Sequence, residues 1–400
     1  MSARYAQIPL QRILRLKSGD FISADQIEPE GQYPVYGGNG LRGFTDRWNT
    51  EGPIVLVGRQ GAHCGNVHIA PSRCWVSEHA LRCFPDRVYS TVFIRYALET
   101  LELNRYSVSA AQPGLSTDNI KPLLIAFPHR ENQKRIAAFL DEKTERIDAL
   151  IQKKRALLDR LAEKRQAIIT HAVTKGLNPA APMKDSGIDW LGKIPAHWEV
   201  IALNKVTTKI TNGYVGPTRD LFVDEGIRYI QSLHIKSNRI IFGDDFFVEE
   251  EWSHQHSKSI LKTGDVLVVQ TGDIGQVAYV PAEYEGCNCH ALIICTPVRD
   301  ELDGRFLAWL FNSDYGQEFL HLVKTGALHP HLNCGNVKFF SVMIPPPGEQ
   351  RDIAGYLEDK REKIEMMTSK IRTSINKLVE YRSSLIAAAV IGELESSNGD

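Results

Sequence analysis

The sequence predicts an α+β fold: two similar, mixed, β-rich domains separated by two long helices that pair as an antiparallel coiled coil within the chain, with approximate twofold symmetry. Three observations carry this prediction. At 400 residues the chain exceeds one ordinary core. A long segment with helical spacing occurs twice at one fixed offset. Ahead of each copy lie short apolar runs rich in β-branched residues and broken by Gly.

The repeat comes first, because it organises everything else. Gln133-Lys-Arg-Ile-Ala-Ala-Phe-Leu-Asp-Glu-Lys143 matches Gln350-Arg-Asp-Ile-Ala-Gly-Tyr-Leu-Glu-Asp-Lys360 at an offset of 217 residues, without a gap for over forty residues. Apolar residues in the first copy, including Leu140, Ile147, Leu150, Leu157 and Leu161, recur at steps of three and four, as on one helical face. Leu357, Ile364, Met367, Ile371 and Leu378 mark the same stripe in the second. Forty helical residues make a rod of roughly 60 Å. A single apolar stripe of that length needs a partner, and the simplest partner is the other copy. The apolar ends, 168–173 and 385–390, predict burial against the opposite domain or a partner chain. From Gln133 to Arg165 ten basic and six acidic residues read as a solvated coiled-coil face.

The preceding segments correspond more loosely. Gly52-Pro-Ile-Val-Leu-Val-Gly-Arg-Gln-Gly61, Gly65-Asn-Val-His-Ile-Ala70 and His79-Ala-Leu81 match Gly264-Asp-Val-Leu-Val-Val-Gln-Thr-Gly272, Gly275-Gln-Val-Ala-Tyr-Val280 and His290-Ala-Leu292. These are strand patterns between turns, and 95–102 and 304–322 read as helical. The predicted order is a domain over 1–128, a helix over 129–177, a linker over 178–195, a domain over 196–345, a helix over 346–394 and a tail over 395–400.

Composition excludes several classes. There is no run of about eighteen apolar residues for a membrane span and no signal-peptide core near Met1, so a cytoplasmic location is expected. The seven cysteines form no CxxC pair and read as reduced, mostly buried thiols. Cys287-Asn-Cys289-His290 and His329-Pro-His331 have poor spacing for tetrahedral zinc, so no metal site is expected. No P-loop occurs. Pro345-Pro-Pro347 lacks the flanking residues of an Asp/Asn-Pro-Pro-Tyr motif, and no catalytic residue is predicted. Gly37-Gly38-Asn39-Gly40 reads as a turn. The formal net charge of −1 does not decide whether a polyanion binds.

The arrangement resembles the specificity subunits of type I restriction–modification systems. The resemblance rests on Glu349-Gln350-Arg351 after a Pro turn, with Glu131-Asn132-Gln133 as a degraded first copy. It rests also on Gln112-Pro-Gly-Leu-Ser116 leading to Asn119-Ile120, and on the stretch from Met183 to Trp198 that introduces the second half. Thr325-Gly-Ala-Leu-His-Pro-His-Leu332 departs from the family's closing segment. The resemblance implies two target-recognition domains, each reading one half of a bipartite, asymmetric site in double-stranded DNA. It implies helices that set the unread spacer and dock methyltransferase subunits, two per chain. Restriction/translocase subunits would join, and S-adenosylmethionine, ATP and Mg2+ would belong to those partners. Two alternatives are a specificity-like DNA binder serving another system and a coiled-coil scaffold that binds only protein.

Reading base edges requires paired hydrogen-bonding groups: Arg for guanine, Asn or Gln for adenine. The Gly-rich loops offer Arg59 and Gln60 in one half and Gln270 and Thr271 in the other. Asn39 and Arg42 lie near the first pair in sequence, and Asn212, Tyr214, Gln231, Ser232 and His234 complete the candidate set.

Overall fold

A computed structural model describes residues 5–61, 64–86, 89–107, 114–326 and 330–394. Gln112 and Pro113 of the first closing segment, and residues 327–329 of the second, lie outside them. The chain forms two compact units, residues 1–155 with 371–400 and residues 156–370. Each unit thus holds one β-rich domain, the first part of the long helix that follows it and the last part of the other long helix.

In the first unit, the central strand Ile54–Gly58 is buried at all five positions, so it is covered on both faces. Strand alternation sends Val55 and Val57 to one core with Leu81 and Cys83, and Ile54 and Leu56 to another with Val76 and Ala80. The four-stranded antiparallel sheet runs Leu14–Ser18, Ala80–Pro85, Ile54–Gly58, Val67–Ala70. A three-stranded sheet places Tyr33–Gly37 between Gly40–Thr45 and Trp75–Val76, the last pairing parallel. The helix Thr91–Glu99 opens on Ser90, whose hydroxyl accepts from the Phe93 N–H, and it buries Phe93, Ile94 and Tyr96. Fully burying each such side chain contributes about 1.5–3 kcal/mol.

The second unit repeats this plan. Its sheet runs Thr207–Asn212, Leu292–Pro297, Val266–Val269, Val277–Tyr279, and its smaller sheet places Ile227–Ile230 between Phe247–Val248 and Asn288–Cys289. The stretch predicted as one helix, 304–322, is two, Gly304–Asn312 and Asp314–Leu322, the second capped by Ser313. In both units an N-terminal strand pairs with the strand that precedes the long helix: Gln7–Pro9 with Leu124–Ala126, and Glu199–Ala202 with Ser341–Ile344.

Register overturns one sequence match. Ala80 lies opposite Gly58, but Leu292 lies opposite Val269, the counterpart of Gly58. His79-Ala-Leu81 and His290-Ala-Leu292 are therefore one residue out of step. Leu81 enters the helix-side core and Leu292 the opposite core. A one-residue slip must flip the face in this way. The shorter corner in the second unit is closed by Ala291 at φ +48°.

The expected linker, 178–195, is partly ordered into the second unit. Met183–Asp185 pairs with Lys193–Pro195, and Ile194 is buried beside Trp198. The apolar residues of that stretch have a core to enter, which is why it is not a free tether.

The long helices span Arg130–Lys175 and Pro347–Ile391, the second with Pro at its first position, where no N–H is needed. Their seam follows strict alternating steps of four and three. Ile147, Ile151, Lys154, Leu158, Leu161 and Arg165 are buried or half-buried, as are their counterparts Ile364, Thr368, Ile371, Ile375, Leu378 and Arg382. Leu140 and Leu357 are fully covered. Three residues expected in the seam are not in it: Leu150, Leu157 and Met367 are 43–46% exposed. Each sits one position before a seam residue, about 100° around the helix. In the first unit Asp148 meets Arg382, and in the second Arg165 and Ile168 adjoin Leu357 and Ile364. Rising numbers on one helix accompany falling numbers on the other, the sense of an antiparallel pair.

The apolar helix ends are buried as expected: Leu385, Ile386, Ala389 and Val390 in the first unit's core, and Ile169, Ala172 and Val173 in the second's. One repeated device anchors each helix start. Gln133 donates from Nε2 to the Pro128 carbonyl (3.0 Å) and accepts from the Ser90 N–H (3.2 Å). Gln350 donates to the carbonyls of Pro345 and Glu301 (both 2.8 Å) and accepts from the Asp303 N–H (2.7 Å). Ser90 and Asp303 cap the domain helices, so each buried Gln clamps a long helix to its domain. Gln in the Glu-Gln-Arg segment supplies this clamp.

Candidate nucleic-acid interface

In the first unit the turn from Gly37 to Gly40 joins two strands, and Gly40 at φ +90° packs its backbone against the His68 ring. A side chain there would be strained and would crowd the His68 ring. This turn carries Asn39, which is exposed and 3.5 Å from the Asn66 amide. At its base, Gly38 lies against the backbone carbonyls of Gln60 and His79. Arg42 is exposed on the following strand.

Arg59 and Gln60 end the central strand and behave differently. Arg59 is half-buried, donating from Nη1 to Ser18 Oγ (3.0 Å) and from Nε to the Leu115 carbonyl (3.4 Å). Part of its fork is thus spent inside the domain. Gln60 is exposed, its Oε1 2.8 Å from His79 Nδ1, while His79 Nε2 lies 3.2 Å from Glu78 Oε1. The structure brings Asn39, Gln60, Asn66 and His79 to one corner. Sequence reading missed Asn66, Glu78 and His79. His79 stood in a matched run, but only folding sets it beside Gln60.

The second unit builds its corner from aromatic rings. Tyr214 meets Trp252 and His256 edge-on, both with centroids at 5.0 Å, and those two rings stack at 4.1 Å. Asn288 is fully buried and its amide nitrogen lies within hydrogen-bond distance of Ser253 Oγ and the Ser253 and His256 carbonyls, fixing the Trp252 helix to the sheet. Tyr229 Oη lies 3.3 Å from His290 Nδ1. Burial raises the Tyr229 phenol and lowers the His290 imidazole, so both favour their neutral forms. Trp252 in the helix Glu250–Gln255 and His256 at its C-cap, four residues on, were the sequence signal that went unused.

The remaining candidates divide. Thr271 is exposed. Gln270 is half-buried with Oε1 unpartnered among the described residues, and its carbonyl accepts from Leu332 just as that of Arg59 accepts from Leu115. Asn212 accepts from the Cys334 thiol at 2.8 Å. Gln231 and Ser232 are half-buried. His234 is not a surface group: it is fully buried, its Nδ1 accepts from the Gln231 N–H and its Nε2 faces the Asp244 carbonyl. Burial lowers its pKa, and a neutral ring with both nitrogens engaged caps the turn it closes. Cys287 and Cys289 are buried in apolar core. Among the described residues no group of three His, Cys, Asp or Glu could hold a metal, and no helix is long and apolar enough to cross a membrane.

Two units of one plan, each with polar and aromatic groups gathered at a sheet corner, define an internally duplicated protein. The family model for the type I restriction modification DNA specificity domain matches residues 5–160 and again 195–377. The chain belongs to that family. It is similar to the EcoprrI type I restriction enzyme specificity subunit of Escherichia coli, at 35% identity over 137 residues. That match spans 33% of this chain and only about a third of that relative's length (34%). It is similar over most of its length, 85% of this chain and 81% of the other, to the MjaVIII specificity subunit of Methanocaldococcus jannaschii, at 21% identity. A chain solved in work on complex assembly and conformational transition of the type I R-M system shares the fold, with a TM-score of 0.71. Its identity is 14%, over 96% of this chain and 97% of that one.

Proposed function

We propose that this chain is the DNA sequence-specificity subunit of a type I restriction–modification complex and is non-catalytic by itself. Each β-rich domain reads one half of a bipartite, asymmetric site. Asn39, Arg42, Arg59 and Gln60 serve the first half-site, and Asn212, Tyr214, Gln231, Ser232, Gln270 and Thr271 the second. Side chains that reach base edges in the major groove specify sequence, and phosphate contacts set orientation. The long helices set the unread spacer and dock two methyltransferase subunits, and restriction/translocase subunits join for cleavage. S-adenosylmethionine, ATP and Mg2+ are bound by those partners.

One observation carries this reading: the family's specificity domain occurs twice, and each copy gathers amide, imidazole or aromatic groups at a sheet corner. The test is a genome-wide map of methylated adenines with and without the gene. A bipartite motif that disappears on deletion and returns on complementation supports the proposal; an unchanged map refutes it. The purified chain should transfer no methyl group until methyltransferase subunits are added. Exchanging residues 5–127 for another family member's domain should change one half-site and leave the other.

A further inference from the structure

We infer that Gln60 reads a base through the donor end of its amide, and that His79, held by Glu78, fixes that orientation. The inference rests on the DNA-reading function proposed above.

Gln60 is exposed on a constrained backbone: it bridges to Gly114, and Gly38 packs against its carbonyl. Its side chain is steered by two successive contacts. Gln60 Oε1 lies 2.8 Å from His79 Nδ1, and His79 Nε2 lies 3.2 Å from Glu78 Oε1. An amide oxygen can only accept, so the imidazole donates to it from Nδ1. The other carboxylate oxygen, Glu78 Oε2, is buried and without a hydrogen-bond partner among the described residues. The Glu78 side chain is therefore anchored in the domain at one oxygen and lies beside the His79 ring at the other. His79 is thereby pinned from behind and holds Oε1 of Gln60 inward.

The chemical consequence is a polarity. With Oε1 occupied, the group Gln60 turns outward is its NH2. An amide that offers only donors matches acceptor edges, guanine O6 and N7 or thymine O4. It cannot make the donor-and-acceptor pair by which Gln selects adenine. His79 is thus a positioning residue, and Gln60 the residue that touches the base.

The test uses the full-length chain in its host, reading the methylated motif from native DNA for wild type, His79→Ala, Glu78→Gln and the double variant His79→Ala/Gln60→Arg. In the wild type, the first-half position read by Gln60 is guanine or thymine. His79→Ala releases the amide to turn over, so adenine at that one position should gain about tenfold in relative use. The second half-site should stay the same. Glu78→Gln should shift the same position in the same direction, to a smaller extent. Arg offers only donors and needs no orienting partner, so the double variant should select guanine there, whichever of the two the wild type reads. That selection distinguishes orientation from damage to the fold. No change at any single position in His79→Ala, a uniform loss across both half-sites, or failure of the double variant to select guanine would overturn the inference. Absence of any bipartite motif in the wild type would instead refute the function on which it rests.

Discussion

Removing the Gln350 side chain should weaken the second unit far more than its surface chemistry suggests. Gln350 is completely buried and makes three hydrogen bonds, to Pro345, Glu301 and Asp303. Gln350→Ala leaves two carbonyls and one N–H without partners, at about 1–3 kcal/mol each, which gives roughly 3–9 kcal/mol in all. Gln133 makes two such bonds, so Gln133→Ala should cost about 2–6 kcal/mol. Hydrogen–deuterium exchange read by peptide mass separates the units. Gln350→Ala should expose Gly304–Asn312, whose cap it secures, and leave Thr91–Glu99 protected; Gln133→Ala should do the reverse. Urea unfolding supplies the magnitudes. A Gln350→Ala protein within about 1 kcal/mol of wild type, or equal deprotection in both units, would show that the clamp is not structural.

Ile151→Ala should destabilise by about 2–4 kcal/mol, and Leu150→Ala by less than about 1 kcal/mol, because Ile151 is 6% exposed and Leu150 43%; thermal denaturation of both variants checks the seam. Burial raises the Glu99 pKa, while Arg95 and Arg382 oppose the rise. A carboxyl with its folded pKa above the unfolded value favours folding when protonated, and loses that contribution as pH rises through the raised pKa. Arg382→Ala raises it further and also strands Asp148, so its stability loss should be larger at pH 7 than at pH 4, measured by urea midpoints. Inserting two residues after Leu158 rotates the downstream seam by roughly 200° and should abolish activity of the assembled enzyme. Four residues turn it nearly full circle, by roughly 400°, and add about 6 Å, so the methylated motif should gain one or two spacer base pairs. Full activity with unchanged spacing in both insertions would show that the helices are not the ruler.

The repeat, the two long helices and the β-rich character of each domain were all legible in the sequence. Hydrophobic periodicity and self-similarity are local properties that need no tertiary information. The 217-residue offset even predicts the seam copy by copy, Ile147 with Ile364 and Leu161 with Leu378. Where two apolar residues stand side by side, as in Leu150-Ile151 and Leu157-Leu158, periodicity cannot choose between them, and packing against the other helix decides. The same holds for register. His79-Ala-Leu81 and His290-Ala-Leu292 match as strings, yet strand pairing sets them one residue apart and on opposite faces. His234 looks like a loop histidine until a turn folds over it, and Gln60, His79 and Glu78 become one group only when a strand end meets a distant corner. The sequence by itself determined which elements form and how many times. Tertiary structure decided which side chains face the core, a partner or the surface, because that choice depends on contacts between residues far apart in the chain.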